Sequence, residues 1–162
     1  MEGRIIYHFD RKDGIAVQLS TRGRYGLRAT VELARSFKTG PVPLHTIAEH
    51  QEVSVKYLHS LLAILRRSGL VRSVRGSGGG YVLTRPPSQI RVSQVVRVLE
   101  GSLALVGCVE DGSFCDRIEN CPVRPIWVGL SKTIESTLSE LTLEDVVART
   151  PESKAATTMY YI

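Results

Sequence analysis

Three cysteines, Cys108, Cys115 and Cys121, lie within fourteen residues, and the chain has no others. An odd number of thiols cannot complete a disulfide framework, and the thiols of cytoplasmic proteins are normally reduced. Clustered reduced cysteines are typical of metal sites, in which three thiolates and one further ligand suit an iron–sulfur cluster or zinc. The spacing alone leaves a second interpretation open, a thiol switch that responds to redox state.

A second candidate site is the glycine-dense segment that follows Arg75, which begins with Gly76 and ends with the glycines at 78–80. It joins two β-prone runs and therefore predicts a hairpin with a narrow tip. Such a tip suits the minor groove of DNA, whose negative potential attracts arginine. We therefore predict Arg75 and Gly76 as DNA contacts, with Arg72 and Arg66 as phosphate contacts. The segment is not a Walker phosphate loop, because no Lys-Ser/Thr pair follows the glycines.

A third group of polar side chains opens the segment at 54–69, which reads as an amphipathic helix. Its apolar side carries leucines at helical spacing, and Gly69 is placed to end it. Short polar side chains at the start of a helix can enter the major groove and read base edges. The candidate base-contacting residues are Ser54, which is also a plausible N-cap, Lys56, Tyr57, His59 and Ser60.

The elements around these sites predict a mainly α fold with one small β-hairpin. Helices are expected from Ser20-Thr21 to about Phe37, around residues 44–48 and over 55–69, followed by the hairpin. Three helices and a hairpin describe a winged helix-turn-helix. Beyond it we expect a helix over 93–100, an irregular segment over 105–125, and a long amphipathic helix with a final turn over 143–148.

Charge divides the chain into a basic half and an acidic half. Residues 17–91 contain twelve Lys/Arg and three Asp/Glu, a net of +9, whereas residues 92–162 contain six and ten, a net of −4. This asymmetry predicts a polyanion-binding domain followed by a different module. We therefore divide the chain into an N-terminal extension at 1–16, a DNA-binding domain at 17–91, a cysteine-loop and helical region at 92–150, and a tail at 151–162.

Composition excludes several classes of protein. The 43% hydrophobic and 23% charged content is that of a globular chain, and no run of about 18 apolar residues predicts a membrane span. No secretory signal is evident, so we expect a cytoplasmic protein. A metal-dependent enzyme lacks support, because no Ser/His/Asp or Cys/His arrangement is evident and all four histidines fall outside the cysteine loop.

Four segments of the chain closely resemble the Rrf2 superfamily of bacterial winged-helix transcription regulators, and the resemblance runs from about Val17 to the C-terminus. These segments are LSTRGRYGLRA (19–29), GPVPLHTIAE (40–49), VSVKYLHSLLAILRRSGLVRSVRGSGGGYVL (53–83) and LTLEDVV (141–147). The resemblance implies a homodimeric DNA-binding regulator, here expected to be a repressor, that binds a palindromic operator. It also implies that the long helix, with residues 127–141, crosses its equivalent in the partner.

The resemblance favours an iron–sulfur cluster, of the 2Fe–2S or 4Fe–4S type, because cluster-bearing members carry three cysteines in this loop. The fourth ligand of these cluster-bearing members has no matching residue in this chain. Arg124 stands where one branch has a histidine, and Arg24 stands where another has an aspartate from the other subunit. Arginine stays protonated and cannot bind iron. The remaining candidates are water, a small thiol, or a carboxylate of Glu110, Asp111, Asp116 or Glu119.

The two ends of the chain carry further expectations. The C-terminal residues 159–162, Met-Tyr-Tyr-Ile, resemble the end of the superfamily's cysteine-metabolism regulators, which work without a cluster through a partner enzyme. This supports an alternative function, a cluster-free regulator of sulfur metabolism controlled by thiol redox state or a regulatory protein partner. At the other end, Val17 stands where members have their initiator. Residues 1–16 could therefore be an upstream over-call of the gene.

Overall fold

The computed structural model of the protein describes residues 19–149. Both the predicted extension at 1–16 and the predicted tail at 151–162 lie outside this range. Within it the chain forms seven α-helices and one two-stranded antiparallel sheet. In chain order the elements are α1 (Thr21–Arg35), α2 (Leu44–His50), α3 (Val55–Arg67), β1 (Val71–Val74), β2 (Gly80–Leu83), α4 (Val92–Glu100), α5 (Gly107–Glu110), α6 (Arg124–Glu140) and α7 (Leu143–Arg149).

Side-chain caps set the start of α1 and of α3, whereas α2 follows Pro43 and has no side-chain cap. The hydroxyl of Ser20 accepts a hydrogen bond from the Gly23 amide at 3.3 Å, and α1 begins at the next residue. The hydroxyl of Ser54 accepts one from the Tyr57 amide at 3.2 Å at the start of α3. Each cap satisfies an amide that has no partner within the helix. Both caps confirm the helix starts expected from the sequence.

The wing is the hairpin of β1 and β2, paired from Val71 opposite Leu83 to Val74 opposite Gly80. Gly76 has a φ of 111°, a conformation that L side chains rarely adopt, so the turn needs glycine there. At Gly80 a Cβ would lie 2.2 Å from the carbonyl oxygen of Val42. This close approach lets Val42 pair with Tyr81 through N–H···O bonds of 3.0 and 2.9 Å, which tie the wing to the segment before α2.

One hydrophobic core joins α1 to α4, the wing and α7, and it continues past residue 91. Backbone bonds of 2.9 Å from Val92 to Leu141 and from Leu143 to Ile90 bring α7 back beside the start of α4. Packing therefore joins α4 and α7 to the winged helix, and the functional division at residue 91 stays a prediction. Fully or nearly fully buried core members include Leu33, Ile47, Leu58, Leu62, Leu65, Leu83, Ile90, Val95, Leu99 and Leu143.

The region between α4 and α6 is less irregular than the sequence indicated. It holds the four-residue helix α5 and a single 3₁₀ turn at Gly112–Phe114. The long helix α6 begins at Arg124 and ends at Glu140, so Leu141, expected on its apolar stripe, lies just beyond it. Elements this short have no periodicity to read, so the sequence predicted only an irregular segment over 105–125 and missed them.

Candidate nucleic-acid interface and cysteine loop

The N-terminal end of α3 presents its polar side chains on the surface. Lys56, His59 and Ser60 are exposed, and Tyr57 is half-buried. The opposite side of the helix is anchored by four buried leucines, which fix the rotation of α3 about its axis. The structure thus gathers the sequence-predicted base-contacting residues at one helix end, and Ser60 also donates a 2.6 Å hydrogen bond to the Tyr57 carbonyl.

Helix α1 adds residues to this surface that the sequence did not single out as contacts. The Tyr57 hydroxyl lies 3.4 Å from the Oγ1 of Thr21, and the ring of Tyr57 meets that of Tyr25 edge to face at 6.3 Å. The guanidinium carbons of Arg24 and Arg28 each lie 5.5 Å from the centroid of the Tyr25 ring. We call these side chains of Thr21, Arg24, Tyr25 and Arg28 the α1 cluster. The sequence shows a run of arginines at 22, 24 and 28, which could have indicated a nucleic-acid contact, but only the fold shows that this part of α1 lies beside α3.

One carboxylate ties the end of α2 to α1. Oxygens of Glu32 on α1 lie 2.7 Å from Nδ1 of His50 and 2.6 Å from Nε2 of Gln51. Both partners lie at the end of α2, where Glu52 adopts a φ of 55° and turns the chain toward α3. This contact fixes the end of α2 on α1, next to the turn that leads into α3.

Arg72 and Arg75 are exposed on the wing, Arg72 on β1 and Arg75 at the start of the turn, beside Gly76. Arg66 lies in the last turn of α3, twelve residues from Ser54, which is about 18 Å along the helix axis. The structure therefore separates Arg66 from the helix start that would enter a groove. It stays a predicted phosphate contact.

The basic surface has no internal counter-charge. Among residues 19–149 the ion pairs are His50–Glu32 and Arg97–Glu135, and neither includes an arginine or lysine of α1, α3 or the wing. Since these cations are exposed and unneutralised, they can displace counterions from a nucleic-acid backbone. The positive charge expected from the sequence is thus available to a polyanion.

The three cysteines are free and half-buried, and all lie in the segment between α4 and α6. Cys108 lies in α5, Cys115 follows the 3₁₀ turn, and Cys121 precedes α6. The donor chemistry suits an iron–sulfur cluster. The arrangement does not, because within residues 19–149 no three histidine, cysteine, aspartate or glutamate side chains are grouped to hold one metal ion. The loop would have to close for its thiols to share a metal.

Two polar contacts shape this loop. Nε of Arg124 donates a 3.3 Å hydrogen bond to the carbonyl of Cys108, so the residue in the place of the superfamily's histidine ligand bonds the backbone instead. The amide and hydroxyl of Ser113 both donate to Oδ1 of Asp111 at 2.8 Å, which holds the pKa of Asp111 below its usual value. The Asp111 carboxylate is thereby engaged in a local turn.

Comparison with known proteins decides the family. The family model Rrf2, described as an iron-dependent transcriptional regulator, matches residues 19–149, the whole of the described range. The chain belongs to the Rrf2 family. It is a DNA-binding transcription regulator and not an enzyme, as the sequence predicted, since its relatives in this family are regulators.

Named relatives fall into two groups. The transcriptional regulator CymR of Bacillus subtilis is 38% identical over 146 residues, covering 90% of this chain and all of CymR. IscR of Klebsiella pneumoniae is 37% identical over 131 residues, covering 81% of this chain and 80% of IscR. The Rrf2 chain is thus similar to both groups at nearly the same identity.

The similar solved structures also include both CymR and IscR proteins. The structure of B. subtilis CymR, the global cysteine regulator, matches with a TM-score of 0.71 at 37% identity, over 84% of this chain and all of that one. The structure of T. potens IscR matches with a TM-score of 0.71 at 40% identity, over 91% and 98%. The predicted winged-helix fold is confirmed. No helix within the described range is long and apolar enough to cross a membrane.

Proposed function

We propose that this Rrf2 protein binds a palindromic operator as a homodimer, with the start of α3 in the major groove and the wing in the minor groove. In this proposal Ser54, Lys56, Tyr57, His59 and Ser60 face base edges, Arg72 contacts phosphate, and Arg75 and Gly76 enter the minor groove. The observation that carries it is the exposed, Ser54-capped start of α3, flanked by unneutralised arginines of α1 and the wing. Such side chains at a helix start are suited to base readout.

The exposed apolar side of α6 supports the homodimer. Ile126 is 56% exposed and Leu130 is 45% exposed, and Val123 just before the helix is 47% exposed. Of the 17 residues of α6 only Ser131 is buried within the protomer. Apolar side chains in one stripe favour burial against a second copy of the same helix, and a two-fold dimer reads a palindrome.

The DNA-reading part of the proposal is tested with Arg75→Ala and Arg117→Ala. Arg75→Ala should weaken operator binding about tenfold in fluorescence anisotropy, because one minor-groove arginine is lost, and size-exclusion chromatography should show an unchanged dimer. Arg117→Ala removes an exposed arginine from the cysteine loop and should bind normally. Equal affinities of the two variants would contradict the wing assignment.

For the regulatory input we propose that Cys108, Cys115 and Cys121 bind an iron–sulfur cluster, 2Fe–2S or 4Fe–4S, in a closed form of the loop. The support is three free thiols in one loop of an Rrf2 chain that is 37–40% identical to proteins named IscR. When bound, such a cluster supplies a signal-sensitive group beside α6. The chain's own part would be to move the loop and α6, which changes the spacing of two recognition helices.

A second candidate is control without a cluster, through thiol oxidation or a regulatory protein partner. Its support is the 38% identity to CymR over 90% of the chain, together with Arg124 bonding the Cys108 carbonyl in the place of a ligand. Oxidation of a single thiol needs no group of three ligands around one metal ion, and no such group is present among residues 19–149.

Anaerobic purification separates the two candidates. A bound cluster should give a coloured protein with visible absorbance, iron and acid-labile sulfide, all lost in Cys115→Ser. Colourless, iron-free protein would favour thiol or partner control, which is then tested by operator binding before and after oxidation of the thiols. We also propose a cytoplasmic repressor, tested by transcription in vitro from a promoter that overlaps the operator, which the protein should reduce.

A further inference from the structure

An open cleft of about 360 Å³ lies beside the cysteine loop, between the α4–α5 connection, α5 and α6. Its apolar wall is formed by Leu103, Ala104, Val109 and Val128, from all three of these elements. The volume is at the small end of the range for ligand sites, about 300–1,000 Å³, so the cleft suits a small metabolite and not a nucleotide-sized one.

Charges of both signs border this wall. Arg97 and Glu135 pair with each other across the cleft. Glu110 and Lys132 have no ion-pair partner in the part of the chain that the structure describes, and Arg124 uses only its Nε, on the Cys108 carbonyl. The cleft therefore offers one unpaired carboxylate, one unpaired ammonium and the free end of a guanidinium around an apolar wall.

We propose that this cleft binds a small α-amino acid. Its carboxylate would face Lys132 and the guanidinium of Arg124, its ammonium would face Glu110, and its side chain would lie on the wall of Leu103 and Val128. A purely anionic ligand would leave Glu110 opposed by like charge, and a purely cationic one would leave Lys132 and Arg124 unsatisfied. A zwitterion with a small side chain matches both sets.

The exposed apolar stripe of α6 lies on the side of the helix that faces away from the cleft. Arg124, Val128, Ser131 and Glu135 recur at spacings of four, three and four, so they share one side of α6. Ile126 lies two residues beyond Arg124, about 200° around the helix. The exposed apolar stripe and the cleft are therefore on nearly opposite sides, so pairing of two α6 helices along the stripe would not itself cover the cleft.

The position of the cleft makes it an effector site. Arg124 bonds the carbonyl of Cys108 on one side and begins α6 on the other. A carboxylate bound to the guanidinium of Arg124 would change the strength of the hydrogen bond from Arg124 to the Cys108 carbonyl. This carbonyl belongs to the loop that carries the cysteines. Binding of the amino acid would thus affect both the thiols and α6, the proposed dimer helix.

Isothermal titration calorimetry of the full-length protein without DNA tests this site, with glycine, alanine, serine, cysteine, valine and methionine as probes. At least one L-amino acid should bind once per protomer. Propionate and ethylamine, which each keep one charge of alanine, should bind at least about tenfold more weakly than the best amino acid. Absence of heat for every amino acid at millimolar concentration, or equal binding of propionate, would overturn the proposal.

Matched charge variants identify the cleft as the place of binding. Lys132→Gln and Glu110→Gln should each weaken binding of the best amino acid about tenfold or more, since each removes one of the three charged contacts. Arg117→Gln and Glu119→Gln neutralise exposed loop residues outside the cleft and should bind as the wild type does. All four positions are exposed, so the fold should survive. Because no DNA is present, failure here is distinct from failure of the DNA-binding proposal.

Discussion

The hydroxyl of Tyr57 lies 3.4 Å from Oγ1 of Thr21, so the first turn of α3 touches the first turn of α1. The edge-to-face contact of Tyr57 with Tyr25 extends this junction. Two helix starts that are 34 residues apart in the sequence thereby form one surface, with Arg24 and Arg28 beside the recognition helix. In the proposed complex, DNA that contacts Ser54 would therefore meet the α1 cluster as well.

Arg24→Gln should weaken DNA binding by a similar factor on operator and unrelated DNA, because a phosphate contact carries no sequence information. The slope of log affinity against log salt should fall by about one unit. Fluorescence anisotropy at several salt concentrations measures both. Arg35→Gln, an exposed arginine at the far end of the same helix, is the matched control and should leave the slope unchanged. A slope that falls equally in both variants would argue against a local contact at α1.

Gly26→Ala should destabilise the protein, because α1 and α4 approach too closely for a side chain there. A Cβ at Gly26 would lie 2.4 Å from Cδ1 of Leu99, a buried core residue. Overpacking of this kind costs about 1–3 kcal/mol, measured as a loss in the free energy of unfolding in urea. Gly129→Ala on α6 meets nothing within 4 Å and should instead gain up to about 1 kcal/mol of helix propensity.

Asp145 makes the stability of α7 depend on pH. The hydroxyl of Thr142 donates to Oδ2 of Asp145 at 2.6 Å and its amide at 2.8 Å, which together hold the pKa of Asp145 below its usual value. Because folding lowers the pKa of this carboxyl group, its ionised form stabilises the folded protein at pH values above the unfolded-state pKa, near 4. This stabilisation is lost as the pH falls through the folded-state pKa. Asp145→Ala should therefore lower Tm at pH 7, and the difference from wild type should shrink below about pH 4. Asp116→Ala, an exposed loop aspartate, should show no such pH-dependent difference.

How far the sequence could predict this protein depends on the range of each interaction. Local signals were enough for the caps at Ser20 and Ser54, because a cap bonds an amide only three residues away. The contact of Tyr57 with Thr21 and that of Arg124 with Cys108 join residues 36 and 16 apart, and no local pattern encodes them. Similarly, the boundary predicted at residue 91 follows from local charge, although one hydrophobic core includes Leu83 before it and Val95 after it.

Ser54 caps α3 and is also a proposed DNA contact, and two substitutions separate these roles. Ser54→Ala removes the acceptor for the Tyr57 amide and should cost about 1 kcal/mol in the free energy of unfolding. Ser54→Asp keeps an acceptor at the cap and places a negative charge at the positive end of α3, so stability should return to the wild-type value or above. The same carboxylate would face DNA phosphates, and operator affinity should fall about tenfold or more.

Urea unfolding and fluorescence anisotropy of the same preparations measure the two effects of the Ser54 variants. Ser77→Ala, an exposed serine in the wing turn with no side-chain hydrogen bond in the described part of the chain, is the control for stability. A cap role without DNA contact would appear as an Asp variant that is stable and binds the operator as tightly as wild type. A stable Asp variant that has lost the operator would instead locate the DNA at the start of α3, because a repaired cap excludes unfolding as the cause.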